Sequence, residues 1–156
     1  LQTQDKIKII GTNRKANFQY VILDKLEAGM VLLGTEVKSL RESKVNLQDA
    51  YGKFKNDELW LVNAHISEYK FGNLNNHIPL RERKLLLNKR ELKRLKSKTA
   101  EKGLTIVPTK IYFKGSKIKI EIALAQGKKL YDKRERSQRK RYQKKIKQII
   151  VYAFYS

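Results

Sequence analysis

The chain predicts a mainly β domain with short helices, a small closed barrel followed by a basic tail. Two patterns carry that reading. Residues 117–124 alternate strictly, with Ile118, Ile120, Ile122 and Leu124 on one face and Lys117, Lys119 and Glu121 on the other. Elsewhere, short β-branched and aromatic runs are separated by turn-forming Gly, Asn and Asp. Size adds a bound: 156 residues, 40% of them hydrophobic, furnish one domain core and not two. An oligonucleotide-binding (OB)-like barrel fits this length and strand pattern.

Residues 1–17 are polar and mixed, with Gly11 and Asn13 as breakers, and are expected to be a flexible lead-in. Phe18, Tyr20, Val21 and Ile22 favour a strand from residue 18 to 26. Glu27-Ala28-Gly29 interrupts it before a short apolar strand over 30–33, a glycine break of the kind that turns a barrel corner. Val37 and Leu40, spaced i, i+3, suggest one or two helical turns begun near Thr35. Residues 50–54 and 59–66 read as a hairpin across Lys55-Asn56-Asp57-Glu58, with Trp60 expected in the core among Leu59, Leu61 and Val62. A loop with three Asn follows over 72–79, then a short strand over 85–87.

Asn88-Lys89-Arg90-Glu91 has the spacing of a capping box, so a helix is predicted over 89–100, with Leu92 and Leu95 inward and Gly103 ending it. Residues 104–113 and 117–124 form a second hairpin. The barrel is thereby placed over 18–131 and the tail over 132–156. Like charges repel along that tail, so it is expected to be disordered until a polyanion neutralises it. As a helix, it would carry Tyr142, Ile146, Ile149, Ile150 and Ala153 on one face.

The charge is strongly clustered. The chain has 36 Lys+Arg and 15 Asp+Glu, a formal +21. Residues 128–147 hold eleven cations and two acids, and residues 81–102 hold ten and three. Two segments therefore carry most of the excess, the footprint of a phosphate backbone rather than of an evenly solvated surface.

Catalytic chemistry finds little to work with. There is no cysteine, so disulfides, thiolate nucleophiles and Cys-based zinc sites are excluded. His65 and His77 stand twelve residues apart without metal-ligand spacing, and no nucleophile elbow, P-loop or dinucleotide fingerprint occurs. No catalytic residue, metal or cofactor is assigned. No apolar run approaches the ~20 residues that span a bilayer, so no membrane partner is expected.

An ordered series of blocks resembles the SsrA-binding (SmpB) protein family. The blocks are Asn13-Arg14-Lys15-Ala16, Glu27-Ala28-Gly29, residues 34–41 (GTEVKSLR) and residues 46–51 (NLQDAY). Asn63-Ala64-His65-Ile66, residues 77–87 (HIPLRERKLLL) and residues 127–134 (GKKLYDKR) continue the order, which covers about four-fifths of the chain. The resemblance implies an OB-fold factor, not an enzyme, that binds the tRNA-like domain of transfer-messenger RNA (SsrA RNA, or tmRNA). It implies delivery of that RNA to stalled ribosomes for trans-translation, with the tail in the vacant mRNA channel near the decoding site.

By position, it implies RNA contacts at Asn13, Glu27, Leu86 and Lys119 and at the Gly127-Lys128-Lys129 junction. The neighbouring block residues Arg14, Lys15, Glu36, Lys38, Arg83 and Lys84 complete the candidate RNA surface. Tyr131, Asp132, Lys133, Arg134, Arg136, Arg139, Lys140 and Arg141 form the candidate ribosome tail. Phe18 stands where the family usually has His, Gln126 where it usually has Lys, and the end Ile149–Ser156 is apolar where the family is charged. A cytoplasmic monomer, or its equivalent in an organelle with bacterial-type ribosomes, is the expectation. The residues alone leave a second reading open, a generic structured-RNA binder or ribosomal protein on the same barrel.

Overall fold

A computed structural model describes residues 6–101 and 103–155, with side chains throughout except at Asn73 and 151–155. Nine strands and four α-helices are described: β1 (Ile7–Thr12), α1 (Arg14–Gln19), β2 (Tyr20–Met30), α2 (Gly34–Arg41), β3 (Val45–Asn46), β4 (Tyr51–Lys55), β5 (Glu58–Val62), β6 (His65–Ile66), β7 (Arg83–Leu86), α3 (Lys89–Thr99), β8 (Leu104–Lys114), β9 (Lys117–Gly127) and α4 (Lys128–Tyr155).

Six strands make a ring, β8-β4-β5-β7-β2-β9 and back to β8, all antiparallel. Its seams are unequal. β8 and β9 pair along their whole length, whereas β4 meets β8 only at Gly52 and Ile106 and β2 meets β7 only at Gly29 and Met30. The result is a ring and not an evenly closed barrel. Inside it Leu59, Leu61, Leu85, Ile106, Ile111, Ile120 and Ile122 are buried, and α3 closes one end with Leu95. A smaller cluster of Ala16, Val107, Ala123 and Ala125 lies where α1 packs on the outside of β8 and β9.

The alternation of residues 117–124 is realised as read, with Ile120, Ile122 and Leu124 in the core cluster. The Asn88 side chain accepts from the Glu91 N–H at 2.9 Å, the Glu91 carboxylate accepts from the Asn88 N–H at 3.3 Å, and α3 starts there.

Other expectations need correction. The lead-in is built into the fold from residue 7, because β1 pairs with β8 from Ile7↔Lys114 to Thr12↔Lys110; residues 1–5 of that expectation lie outside the described residues. Residues 14–19 form α1, so strand β2 begins at Tyr20 and not at Phe18. β2 is unbroken at Glu27-Ala28-Gly29; its irregularity falls between Ile22 and Asp24. At Gly29 β2 passes between two neighbours, pairing with β9 on one side and β7 on the other, and no bulge is recorded there. Trp60 points outward opposite Lys84 and Lys53, because Leu59 and Leu61 take the inward positions of β5.

The tail too departs from its expected disorder. α4 is helical from Lys128, and its like charges are spread around an exposed helix with Tyr142, Ile146, Ile149 and Ile150 open to solvent. Side chains from residue 151 onward, Ala153 among them, lie outside the description.

Candidate RNA-binding surface

One row of residues crosses five strands on the outside of the ring. Strand register places Ile9 opposite Tyr112, Tyr112 opposite Lys119, Lys119 opposite Gly29 and Gly29 opposite Leu86. Alternation puts these side chains outward, since Ile111 and Ile120 beside them point into the core. Gly29 keeps the row tight. A Cβ there would lie 3.3 Å from the Leu86 Cβ and 3.8 Å from the Lys119 Nζ, so the bare backbone lets an apolar and a cationic side chain converge. Leu86 is 49% exposed, an apolar side chain held open on a surface strand.

The next row is acidic, with Glu27 opposite Glu121. Like carboxylates in register repel, and each is given its own partner. Tyr112 donates its hydroxyl to Glu27, Lys114 pairs with Glu27 at 3.2 Å, and the Thr109 hydroxyl donates to Glu121 at 2.6 Å. The Tyr112 hydrogen bond, aided by Lys114 and Lys119, holds the Glu27 carboxyl below its usual range despite some burial. Burial and the Glu27 charge push the Tyr112 hydroxyl well above the tyrosine range. The Lys110 ammonium sits 5.7 Å from the Tyr112 ring centroid. Thus Glu27, Leu86 and Lys119, distant in sequence, are brought together on one face.

Three expected surface residues are inside. Glu36 and Arg83 are fully buried, and the Arg83 Nε donates to Glu36 at 2.5 Å. Arg81 adds a second ion pair to Glu36 at 2.5 Å, and the Arg83 guanidinium also donates to the Ala64 and Pro79 carbonyls. Burial alone would raise the Glu36 pKa; hydrogen bonds from Arg81, the Leu33 N–H and Arg83 outweigh it and hold it low. The charges of this block therefore tie α2 to β7. Asn13 is buried as well and donates its amide to the Leu47 carbonyl at 3.1 Å and the Pro108 carbonyl at 2.9 Å. It pins the start of α1, while its Oδ1 has no partner among the described residues. His77 is likewise buried, between the Thr35 hydroxyl at 2.9 Å and the Ile66 carbonyl at 2.8 Å.

The remaining candidates are accessible but dispersed. Arg14 is exposed, Lys15 faces Asp49 at 3.7 Å, Lys38 lies 5.4 Å from the Tyr69 ring centroid, and Lys84 pairs with Glu58 at 3.0 Å. Gly127 ends β9, and Lys128 and Lys129 are exposed on the first turn of α4. Along α4, Asp132, Lys133, Arg134, Arg136, Arg139, Lys140 and Arg141 are exposed. The Tyr131 hydroxyl bonds to Glu135 one turn on, which raises its pKa. The strand register adds Ile9 and Lys110 to the face, while Tyr112, in the same row, is buried and holds Glu27 in place. Among the described residues no group of three His, Asp or Glu side chains is placed to hold a metal ion, and no helix is long and apolar enough to cross a membrane.

Comparison with known proteins places the chain. The family model described as "SmpB protein" matches residues 10–152. The SsrA-binding protein of Carboxydothermus hydrogenoformans is 61% identical over 128 residues, 82% of this chain and 86% of that protein. The SsrA-binding protein of Fervidobacterium nodosum is 51% identical over 147 residues, 94% of this chain and 99% of that protein. A solved chain described as "tmRNA-SmpB: a journey to the center of the bacterial ribosome" is 48% identical with a TM-score of 0.65, covering 76% of this chain and 83% of that one. A ring of this topology, an open apolar–cationic row upon it and a match along nearly its whole length lead to one conclusion: the chain belongs to the SmpB family of SsrA-binding proteins.

Proposed function

We propose that this protein binds the tRNA-like domain of tmRNA through the outer face of the ring and delivers it to stalled ribosomes for trans-translation. The observation that carries the reading is the convergence of Leu86, Lys119 and Glu27 around Gly29 in a chain of this family. Each supplies a different contact. Lys119 meets a phosphate, Leu86 covers an unstacked base or sugar, and the ionised Glu27 accepts from base amino groups or ribose hydroxyls.

The α4 cations then serve the second partner. Residues 131–141 enter the vacant mRNA channel, where counterion release favours a basic helix and the tail stands in for a codon–anticodon duplex. Asn13, Glu36 and Arg83 are structural in this scheme, since their side chains are buried. The protein acts where the ribosomes are, by binding and placement, and transforms no substrate of its own.

Truncation after Tyr131 tests both halves. Affinity for the tRNA-like domain is expected to stay while peptide tagging on stalled ribosomes is lost. Tagging that survives the truncation overturns the tail's role. Equal affinity for an unrelated tRNA at the same salt overturns the specific partner in favour of a generic RNA binder.

A further inference from the structure

Helix α4 grows directly out of β9, with no loop between them. In its first turn Lys128 and Lys129 are exposed, whereas Leu130 is half-buried. Leu130 belongs to neither apolar cluster of the ring. What it covers is backbone. Leu104 pairs with Gln126, so the chain entering β8 at Gly103 and the chain leaving β9 at Gly127 run side by side. A Cβ on Gly103 would collide with the Leu130 Cδ2 and lie 3.6 Å from the Gln126 Nε2. Leu130 therefore fills the room that a side chain at 103 would take.

This seat is made by packing. The Gln126 amide nitrogen beside it is buried and has no hydrogen-bond partner among the described residues, so it adds no polar tie. Gly127 adds no restraint either. A Cβ there would meet nothing within 4 Å, and a glycine backbone left uncrowded is free to turn.

Two physical demands meet at this turn. The first turn of a helix is the costly one, because several residues are fixed before the first hydrogen bond forms. Repulsion among the cations of residues 128–147 adds to that cost. A first turn already seated on the ring lowers it. The helix is also a lever. Arg141 lies eleven residues beyond Leu130, about 16 Å along the axis. A tilt of about 10° at the root moves it by about 3 Å, the length of a hydrogen bond.

We propose that Leu130 is a positioning residue: seated on the bare backbone of Gly103, it starts α4 and sets the direction in which the tail leaves the ring. It acts through the residues beyond it, and so rests on the reading that the tail serves the ribosome.

The test uses the full-length chain with spin labels at Lys53→Cys and Gln138→Cys, since the sequence has no other cysteine. Both positions are exposed, one on β4 and the other two turns beyond Leu130. Dipolar spectroscopy gives the distance distribution between ring and tail. It is expected to be single and narrow with Leu130 in place, broad in Leu130→Ser, and narrow again in Leu130→Met, which refills the seat. Peptide tagging on stalled ribosomes should fall about tenfold in the Ser variant, the size expected for one half-buried leucine, and recover in the Met variant. Affinity for the tRNA-like domain should be unchanged in both, which also shows that the ring is folded.

A broad distribution with Leu130 in place overturns the inference, as does a narrow one in Leu130→Ser. So does tagging that falls while the distribution stays narrow, which would mark a direct contact, or a distribution that broadens while tagging holds. Lost affinity for the tRNA-like domain in Leu130→Ser would assign the residue to the ring's packing and overturn it too. A parent protein that shows the narrow distance yet neither binds the tRNA-like domain nor supports tagging would instead reject the proposed function.

Discussion

Tyr112 on β8 reaches over β9 to give its phenolic hydrogen to Glu27 on β2, joining three strands outside the ring. The bond lowers the Glu27 pKa and, with burial, raises that of Tyr112. A depressed carboxyl contributes stability above its ordinary value of 4.5, lost as pH falls through the lower folded value. A raised phenol contributes stability below its ordinary value of 10.0, lost as pH climbs beyond it. Tyr112→Phe should therefore flatten the alkaline arm of the stability curve and weaken the acid arm, which Lys114 and Lys119 still support. Urea midpoints followed from acid to alkaline pH give the answer; an alkaline arm as steep as before would refute the coupling.

Glu36→Gln should destabilise the fold by about 3–5 kcal/mol, because it leaves the Arg83 guanidinium buried without its countercharge. The parent protein should also lose stability as pH falls through the depressed Glu36 pKa, whereas the variant should lack that component. Urea unfolding measures both. RNA affinity of the folded variant should be unchanged. A stable variant with weakened RNA binding would return Glu36 to the contact surface.

On the row itself, the chemistry of each side chain separates the variants. Lys119→Ala should weaken binding to all RNAs and reduce the salt slope by about 0.7–0.9, one phosphate's worth. Leu86→Ala should lower affinity for the tRNA-like domain at an unchanged slope. Gly29→Ala should do the same without altering any RNA contact directly, since its Cβ would press on Leu86 at 3.3 Å. Filter binding across a salt series distinguishes the three. A slope change in the Leu86 variant would show that its role is not apolar cover.

Gly103 has φ +85°, and a Cβ there would collide with Leu130 at the base of α4. Gly103→Ala should cost about 1–2 kcal/mol for the left-handed backbone alone, with the displacement of Leu130 added. Gly34→Ala is the control. Nothing lies within 4 Å of its Cβ position and it opens α2, so stability should hold or rise by about 0.5 kcal/mol. Thermal unfolding of both variants decides, and equal midpoints would refute the strain at Gly103.

What was legible in the residues is what local chemistry controls. Asn88 and Glu91 announce α3 because both capping bonds close within four residues. The alternation of residues 117–124 declares a strand with one face in the core, because side-chain direction has period two. Its register was not legible: the strands run one residue further, to Lys114↔Lys117 about Gly115-Ser116, and it is this that sets Tyr112 opposite Lys119. β1 was not legible: its partner lies about a hundred residues on, and Ile7-Lys8-Ile9 gains order only against Tyr112 and Phe113. Nor was the inward turn of Glu36 and Arg83, since a charge beside charges reads as surface until the other half of its pair is found in space. The family resemblance marked these positions without saying which way they point. Tail helicity was misjudged for a related reason, repulsion being weighed without the good helix-forming propensity of Lys, Arg and Gln.

The ring is closed by the strands made last. β8 takes β1, β4 and β9 as neighbours, and β9 returns to β2, so the β4–β8 and β2–β9 joins wait for residues 104–127. A nascent chain halted before that stretch has only the open run β4-β5-β7-β2 and no enclosed core. It also lacks Tyr112 and Lys119, two members of the row. An interrupted copy has neither the closed ring nor the complete row, and it leaves apolar strand faces exposed.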